Sequence, residues 1–382
     1  MAFDGNKFYS DILSSLASAG NLRAIPDDCR GGDIIDFSSN DYLGLNTLTL
    51  ADFIDECPNL LRTPVTSSAS RLLASSQNEY SMLEADLEAL YPDRKALIFN
   101  SGYHANTGII SALANRSSII LADRLVHASI IDGVQLSRAR MLRFAHNDLA
   151  DLRRLLEANY APGKMIWIVV ESVYSMDGDF ADIDALIDLK LDFPGVMLYV
   201  DEAHAFGVEG PQGLGLVAAS KNPLMVDVTV ATFGKALASY GAFAIVSSPL
   251  RQYLLNKARS FIFSTSLPPL QIEWTRLMIK RMLLSDGRRS HLRSLARRLN
   301  QILTDVNDSF SVVSHIQPLM VGDAAKAVEI SRRLRQHNML VLPIRTPTVP
   351  VGTERLRFSL SANLSLDNLA LLENVLKQCV EN

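Results

Sequence analysis

Short apolar runs recur through the first two thirds of the chain, and turn or polar residues bound each of them. They lie at residues 95–101 (KALIFNS), 117–123 (SSIILAD), 164–172 (KMIWIVVES), 196–203 (VMLYVDEA), 226–233 (VDVTVATF) and 241–248 (GAFAIVSS). Continuous apolar runs of this length are typical of strands that are buried on both faces. The pattern therefore predicts a buried β-sheet.

Helical patterns alternate with these runs. The apolar stripes comprise Leu83, Leu87 and Leu90 in "YSMLEADLEALY", and Ile183, Ile187 and Leu191 in "DIDALIDLKLDF". Spacings of three and four residues place such positions on one helix face. Because strands and helices alternate over residues 45–265, we expect an α/β layer with a largely parallel sheet flanked by helices.

The pattern changes after "STSLPP" at 264–269, where two prolines interrupt it. A long basic helix is predicted next, with an apolar face formed by His291, Leu292, Leu295, Leu299 and Ile302. Short strands near 315–323 and 355–362 then surround a helix at 324–337, which indicates a separate α+β domain. We therefore predict an N-terminal arm (1–45), a large α/β domain (46–265) and a smaller C-terminal α+β domain (266–382).

Composition narrows the function classes. The chain has 382 residues, 48% hydrophobic and 20% charged, with a formal net charge of −4, so a basic surface for nucleic acid is not expected. Cys29, Cys57 and Cys379 are far apart and form no C-x-x-C pair, which argues against a metal site or a disulfide framework and for a reducing compartment. There is no signal-peptide pattern and no apolar stretch of roughly 18 residues, so the sequence predicts a cytoplasmic protein without membrane anchoring.

Candidate chemistry lies where the predicted strands end, because ligands of open α/β sheets bind beyond the carboxyl ends of strands. The polar and glycine residues at these ends are Ser101, Gly102, Tyr103, Asp123, His127, Glu171, Ser175, Asp201, His204, Thr232, Gly234 and Lys235.

Lys235 stands in an apolar setting after one strand, and Asp201 and His204 follow another. Singly, such an aspartate is more often a cap or turn residue and such a histidine more often structural. Together, a lysine that can form a Schiff base and an aspartate that keeps a pyridine nitrogen protonated predict a pyridoxal 5'-phosphate (PLP) site. Ser101 and Gly102 before a helical pattern could receive its phosphate. No G-x-G-x-x-G, H-E-x-x-H, G-x-S-x-G or Walker motif supports another chemistry.

A family resemblance extends over nearly the whole chain. Its motifs, in order, are DFSSNDYLGL (36–45), NSGYHAN (100–106), HASIIDG (127–133), ESVYSMDGD (171–179), VDEAHAFGV (200–208), TFGKALA (232–238), FSTSLPP (263–269) and PTVPVGTERLRFSLSA (347–362). The sequence in this respect resembles the α-oxoamine synthases, PLP enzymes of fold type I that condense an amino acid with an acyl thioester.

The resemblance implies roles around PLP. Lys235 would form the Schiff base, Asp201 would bond the pyridine nitrogen, and His127 would stack over the ring. His204 and Ser175 would bond the side of the ring that carries the 3-oxygen. The remaining implied contacts to the cofactor are those of Gly102, Tyr103 and Thr232, and of Ser264 and Thr265 from the other subunit of a homodimer.

For the substrates, the resemblance implies that Arg357 grips the amino acid carboxylate and that Arg23 and Thr348 lie near it. A guanidinium suits a carboxylate because it can bind both oxygens. Arg355 is expected to be a solvated or structural neighbour.

Within the family, "RFAHNDL" (143–149), "HIQPLMVGD" (315–323) and "IRTPTVPVG" (344–352) are most like the members of biotin biosynthesis. Those members condense L-alanine with a pimeloyl thioester, carried by coenzyme A or an acyl carrier protein. Three alternatives stay open: a glycine C-acetyltransferase of the same family, a nicotinamide-dependent dehydrogenase and a non-catalytic partner subunit. The presence of Lys235 argues against a non-catalytic partner subunit.

Two segments depart from the family pattern. Residues 66–80 (TSSASRLLASSQNEY) carry serine and alanine where the family has glycines, and 239–243 (SYGAF) has fewer glycines than usual. Because glycine adopts positive φ readily, we expect the local backbone and the acyl pocket to differ there.

Overall fold

A computed structural model of the protein describes residues 4–18, 20–23, 34–73, 78–307 and 312–381. Cys29 and residues 74–77 of the serine-rich segment lie outside the described residues. Contacts divide the chain into two units. The larger unit comprises Asp41–Ser175 and Asp179–Arg289, and the smaller one comprises Met1–Asn40, Met176–Gly178 and Ser290–Asn382.

The strands and helices alternate along much of the described chain. The strands are β1 (Ile35–Asp36), β2 (Lys95–Phe99), β3 (Ile119–Asp123), β4 (Arg140–Phe144), β5 (Ile166–Glu171), β6 (Met197–Asp201), β7 (Val228–Thr232), β8 (Ala242–Val246), β9 (Ile316–Met320), β10 (Met339–Leu340), β11 (Leu342–Ile344) and β12 (Arg355–Ser359). The α-helices are α1 (Gly5–Ser18), α2 (Asn78–Leu90), α3 (Gly102–Leu113), α4 (Ala128–Ser137), α5 (Leu149–Asn159), α6 (Ile183–Asp192), α7 (Leu216–Ala219), α8 (Ser248–Lys257), α9 (Arg259–Ile262), α10 (Pro269–Leu283), α11 (Asp286–Val306), α12 (Ala324–Gln336) and α13 (Leu366–Glu381).

The larger unit contains a seven-stranded sheet in the order β2-β8-β7-β6-β5-β3-β4. Neighbouring strands run parallel except at β8, which is antiparallel to both β2 and β7. All six predicted strands are confirmed. Strand β4 was not predicted, because it is an edge strand whose sequence, RMLRF, alternates arginines with apolar residues and is only partly buried.

Residues of the sheet divide between two apolar cores, one on each face. Along β5, Trp167 and Val169 join the core that contains Ile109 of α3, while Ile168 and Val170 join the core that contains Leu152. This alternation is the period of two that a strand imposes. Because both faces are covered, every residue of β5 is buried, as its continuous apolar run predicts.

The predicted helix faces are largely confirmed. Leu83 and Leu87 of α2 are buried, as are Ile183 and Ile187 of α6. The assignment of Leu191 to the buried face of α6 was wrong, because that side chain is 56% exposed.

Residues 266–289, which the sequence assigns to the C-terminal domain, group with the larger unit. The cause is that α10 packs on elements of this unit. Trp274 meets Phe53 edge to face with ring centroids 5.3 Å apart, and Arg276 Nε donates to Asp86 of α2 at 2.6 Å.

The smaller unit holds a three-stranded antiparallel sheet, β11-β12-β9, beside a parallel pair of β1 and β10. The strands β9 and β12 and the helix α12 confirm the α+β pattern predicted from residue 315 onward. Part of the predicted N-terminal arm belongs to this unit, since β1 pairs with β10. In α11, Leu292, Leu295, Leu299 and Ile302 are buried, which confirms the predicted apolar face.

Across the described ranges, the structure has no helix long and apolar enough to cross a membrane.

An aromatic cluster around Phe243 of β8 gives a test of the packing in the larger unit. Phe243 of β8 is fully buried and stacks on Phe233 with ring centroids 5.1 Å apart, while Phe206 meets it edge to face at 4.9 Å. Phe243→Ala should destabilise the protein by about 3–5 kcal/mol because it leaves a cavity in the core. As a control, Leu284→Ala changes a side chain that is 79% exposed and should alter stability by less than about 0.5 kcal/mol. Urea unfolding of both variants checks this, and equal losses would contradict the packing.

Candidate active site

The candidate site is built at the carboxyl edge of the seven-stranded sheet. The turn from β2 into α3 begins it: Ser101 caps the helix, and its Oγ accepts the N–H of His104 at 3.2 Å. Gly102 is the first residue of α3, and a Cβ placed there would lie 3.8 Å from Cβ of Thr232. The N-terminus of α3 and the end of β7 are therefore adjacent, and the helix dipole favours an anion at this point.

Lys235 follows β7 and reaches the turn that follows β6. Its Nζ lies 2.7 Å from Nε2 of His204, and Nδ1 of His204 lies 2.6 Å from the hydroxyl of Tyr42. Tyr42 is fully buried and His204 nearly so, while Lys235 is half-buried. The structure therefore brings together the predicted Lys235 and His204, and adds Tyr42, which orients the imidazole.

Asp201 ends β6 and is 5% exposed. Its Oδ2 accepts Nδ2–H of Asn106 at 2.7 Å, and its Oδ1 accepts the backbone N–H of Ala203 at 2.9 Å. Two donors thus fix the carboxylate and replace part of the water it loses by burial.

Glu171 lies directly opposite Asp201 in the register of β5 and β6 and is buried. Burial, and then the negative charge of Asp201, raise the pKa of Glu171 to about 8. At neutral pH Glu171 is therefore mostly protonated. Its Oε1 has no hydrogen-bond partner among the described residues.

His127 caps the N-terminus of α4. Its Nδ1 accepts the backbone N–H of Ser129 at 3.2 Å and lies 2.8 Å from Ser129 Oγ. Burial and the positive charge of Lys235 lower the pKa of His127, while Asp201 opposes the change. A neutral imidazole suits stacking over a ring.

The side chains of the other residues predicted for the cofactor differ in exposure and in hydrogen-bond partners. Tyr103 is 48% exposed and its hydroxyl donates to Asp132. Ser175 is half-buried in the loop after β5, and Thr232 Oγ1 donates to the carbonyl of Gly241 at 3.0 Å. Ser264 is half-buried and Thr265 is exposed.

The segment with Ser264 and Thr265 is held by the serine-rich segment. Thr265 forms an isolated antiparallel bridge with Ser70, and the N–H of Ser266 donates to the carbonyl of Ala69 at 2.9 Å. Asn100 Nδ2 also donates to the carbonyl of Thr265 at 2.6 Å. These bonds give Thr265 a fixed backbone; its predicted role toward a second subunit stays a prediction.

At or beside the glycine-poor segments, two residues with a Cβ have positive φ: Ser68 at 52°, and Ala238, which directly precedes residues 239–243, at 46°. The expectation that the local backbone and the acyl pocket differ from the family pattern stays a prediction. After Lys235, the N–H of Ala238 donates to the carbonyl of Lys235 at 2.9 Å.

The smaller unit carries the residues predicted for the substrate. Arg357 of β12 is buried, and its Nη2 donates to Oδ1 of Asn40 at 3.2 Å. Arg23 Nη2 donates to Oγ1 of Thr348 at 3.0 Å, so these two predicted residues are in contact. Arg355 is buried in an ion pair with Asp177 and is a structural neighbour, not a solvated one.

Sequence reasoning missed three residues of the site, Tyr42, Asn106 and Ser129. It also did not predict that Glu171 is protonated. Asn106 had a usable signal, since it is an amide in the apolar stretch "ANTGIISAL" that a buried helix face would not tolerate unpaired. Tyr42 had none, because 162 residues separate it from His204.

The chemistry of these groups fits PLP. An amine, Lys235, can bond its aldehyde; a buried carboxylate, Asp201, can hold its ring nitrogen protonated; and the N–H groups at the start of α3 can receive its phosphate. Within the described ranges, no group of three or more histidine, cysteine and acidic side chains could hold a metal ion.

Comparison with known proteins shows the family to which the chain belongs. The family model described as "Aminotransferase class I and II" matches residues 32–376. The chain is 43% identical over 376 residues to an 8-amino-7-oxononanoate synthase of Haemophilus ducreyi, covering 94% of this chain and 97% of that protein.

Two solved structures are similar throughout. A serine palmitoyltransferase from S. paucimobilis, solved with a bound PLP–myriocin aldimine, has a TM-score of 0.89 at 28% identity, covering 99% of this chain and 98% of that one. An 8-amino-7-oxononanoate synthase from Francisella tularensis has a TM-score of 0.75 at 28% identity, covering 91% and 98%.

These findings define a PLP-dependent transferase of fold type I, which confirms the predicted fold and cofactor. The chain belongs to the aminotransferase class I and II family and, within it, to the group of the 8-amino-7-oxononanoate synthases.

Close packing beside Lys235 gives one prediction. Gly207 has φ +93°, and a Cβ there would lie 2.5 Å from Cβ of Ala236. Gly207→Ala should therefore displace the Lys235 turn and lower the fraction of PLP fixed to the protein by borohydride. Gly195→Ala is the matched control, because Gly195 has φ +90° with nothing within 4 Å. It should cost about 1–2 kcal/mol of stability from backbone strain alone, with normal PLP fixation. Equal fixation in both variants would contradict the contact.

The raised pKa of Glu171 gives a second prediction. The folded protein keeps Glu171 protonated up to about pH 8, against an ordinary pKa of 4.5. Its contribution to stability is thus complete below the unfolded pKa and is lost as pH rises through 8. Glu171→Gln stays neutral, so its melting temperature relative to wild type should increase between about pH 5 and about pH 9. Glu157→Gln, at an exposed position, should show a flat difference. A flat difference for Glu171→Gln as well would mean that Glu171 is ionised in the folded protein.

Proposed function

We propose that the protein condenses L-alanine with a pimeloyl thioester to give 8-amino-7-oxononanoate, with release of carbon dioxide and the thiol carrier, as a step of biotin biosynthesis. The observation that carries the proposal is the convergence of Lys235, His204 and the buried Asp201 at adjacent strand ends. The identity of the Haemophilus ducreyi relative over nearly the whole chain supports the choice of reaction.

When bound, PLP supplies an electron sink for the negative charge that develops at the amino acid Cα. Lys235 is proposed to bond PLP and, once released by the amino acid, to take the Cα proton as a neutral amine. The Asp201 carboxylate would hold the proton on the pyridine nitrogen, and its hydrogen bonds from Asn106 and Ala203 fix its orientation.

His127 is proposed to stack on the ring as a neutral imidazole, in keeping with its lowered pKa. His204 and Ser175 would bond the side of the ring with the 3-oxygen. The contact between His204 and Lys235 Nζ supports this role for His204, since it places the imidazole beside the amine that would bond the cofactor. Gly102 and Tyr103 would use backbone and ring near the cofactor, and Thr232 would reach the phosphate.

The substrate contacts are also proposals. Arg357 is proposed to bind the carboxylate of L-alanine, and its burial favours a strong charge-assisted pair. Arg23 and Thr348, which contact each other, would lie beside it.

A homodimer in which Ser264 and Thr265 approach the phosphate of the other subunit is proposed on the family resemblance. The cytoplasm is proposed as the location; Cys57 and Cys379 are free thiols, which suits a reducing compartment.

Incubation with paired substrates tests the reaction. L-Alanine with pimeloyl thioester should release carbon dioxide, free thiol carrier and 8-amino-7-oxononanoate, and glycine with acetyl thioester should release much less free thiol. A series of acyl lengths on coenzyme A and on acyl carrier protein would establish the donor. Preference for glycine and the acetyl group would identify a glycine C-acetyltransferase instead.

Lys235→Ala tests the assignment of the lysine. It should abolish borohydride fixation of PLP and lower turnover by about 10³-fold or more, since both a covalent link and a general base are lost. Lys257→Ala, at an exposed position of α8, is the control and should keep both properties. Fixation to another lysine, found by mass spectrometry of the peptides, would reject Lys235.

A further inference from the structure

Asn106 of α3 is 2% exposed, and its side-chain amide makes three hydrogen bonds. Its Nδ2 donates to Asp201 Oδ2 at 2.7 Å and to Ser129 Oγ at 2.9 Å. Its Oδ1 accepts the hydroxyl of Tyr199 at 2.6 Å. One side chain of α3 thus connects two residues of β6 with one residue of α4.

The orientation of this amide follows from its partners. A carboxylate only accepts hydrogen bonds, so the group that faces Asp201 must be the NH₂ of Asn106. The oxygen then faces Tyr199, whose hydroxyl donates to it. The opposite orientation would place an amide oxygen against a buried carboxylate, and the two would repel each other.

The second N–H of Asn106 determines the direction of the next bond. Ser129 Oγ accepts it, so the Ser129 hydroxyl can give its own hydrogen to Nδ1 of His127, 2.8 Å away. The backbone N–H of Ser129 also donates to that Nδ1 at 3.2 Å. Two donors therefore face Nδ1, which leaves the proton of a neutral His127 on Nε2.

Close packing of α3 and α4 keeps this chain of bonds in place. A Cβ at Gly133 of α4 would lie 2.9 Å from the backbone carbonyl oxygen of Asn106 and 3.1 Å from Cβ of Ile110. Only glycine lets the two helices approach so closely. Asn106 and Ser129 are thereby held within hydrogen-bonding distance.

We propose that Asn106 is a positioning residue that acts on two groups at once: one N–H orients the Asp201 carboxylate, and the other, through the Ser129 hydroxyl, holds His127 as its Nε2–H tautomer. The inference rests on the proposed function only in taking Asp201 and His127 as the residues that contact PLP. Under this proposal one amide orients both Asp201, the charge partner of the ring nitrogen, and His127, the stacking imidazole.

The charged and titratable groups around His127 come from several elements. They are Asp132 of α4, Asp201 of β6, Glu171 of β5 and Lys235 after β7. None of these residues is replaced in the variants below, and Ser129→Ala adds no charge, so a difference in His127 in that variant reports on the hydrogen-bonded chain.

The test compares three variants of the full-length protein. Asn106→Asp keeps the size of the side chain and replaces both donors with an acceptor. Ser129→Ala cuts only the branch to His127. Asn115→Asp is the matched control, because exposed Asn115 uses only its Oδ1, as an acceptor from Ser117, and aspartate preserves that role.

Two measurements separate the branches without any acyl substrate. Titration of the cofactor-free protein with PLP gives an affinity, and ¹⁵N spectra of labelled histidines across pH give the tautomer and pKa of His127, assigned with His127→Gln. Asn106→Asp should weaken PLP binding at least about tenfold, from the lost bond to a charged group, and raise the pKa of His127. Ser129→Ala should raise the pKa of His127 while PLP affinity stays within about threefold, because only a neutral hydrogen bond is lost. Asn115→Asp should change neither.

Folded Asn106→Asp protein with wild-type PLP affinity and an unchanged His127 would overturn the proposal, as would wild-type His127 behaviour in Ser129→Ala. If Asn106→Asp fails to fold, Ser129→Ala and Asn106→Leu decide the same question, since leucine removes both donors without adding charge. Loss of melting temperature alone, with both other measurements unchanged, would make Asn106 a merely structural residue. Failure of the proposed reaction would not affect these outcomes, because neither measurement involves turnover.

Discussion

The burial of the Asp201 carboxylate is the constraint on which the site depends. Removing an ionised carboxylate from water costs several kcal/mol unless donors replace the lost hydration. Asn106 and the N–H of Ala203 supply two such donors. Glu171, opposite on the neighbouring strand, supplies no charge of its own at neutral pH because its pKa is raised to about 8. Of the two facing carboxyl groups, Asp201 therefore carries a negative charge and Glu171 does not. A single negative charge is what a protonated pyridine ring needs as its partner.

The sheet delivers these groups to one edge by its strand directions. β3, β5, β6 and β7 run parallel, so the residues that follow them meet at their carboxyl ends although they are far apart in sequence. The two helix N-termini add backbone N–H groups at the same edge, capped by Ser101 and by His127. Tyr42 then fixes His204, which contacts Lys235. Asp201 and Lys235 are thus each in contact with a residue from a different part of the chain, Asn106 and His204 respectively.

Sequence patterns were informative where one physical effect dominated. The six buried strands could be predicted because burial on both faces requires continuous apolar runs, and Lys235 was conspicuous because a charge in such a setting needs a reason. β4 escaped because an edge strand tolerates the arginines of RMLRF. Leu191 was assigned to the wrong side because a residue near the end of α6 no longer follows the buried stripe. The grouping of residues 266–289 with the larger unit depends on α10 packing against α2, a long-range contact that local pattern does not contain.

The turn after Lys235 illustrates how hydrogen bonds can hold a backbone conformation that residues with a Cβ rarely adopt. Ala238 has φ 46°, a region that disfavours residues with a Cβ by about 1–2 kcal/mol. Local hydrogen bonds compensate: the N–H of Ser239 donates to the carbonyl of Phe233 at 2.9 Å, and the indole of Trp274 donates to the carbonyl of Ala238 at 3.2 Å. Because these hydrogen bonds determine the turn so fully, the strained Ala238 is retained three residues after Lys235. Strained residues of this kind are common where catalytic side chains must be held rigidly, which is in keeping with the role proposed for Lys235.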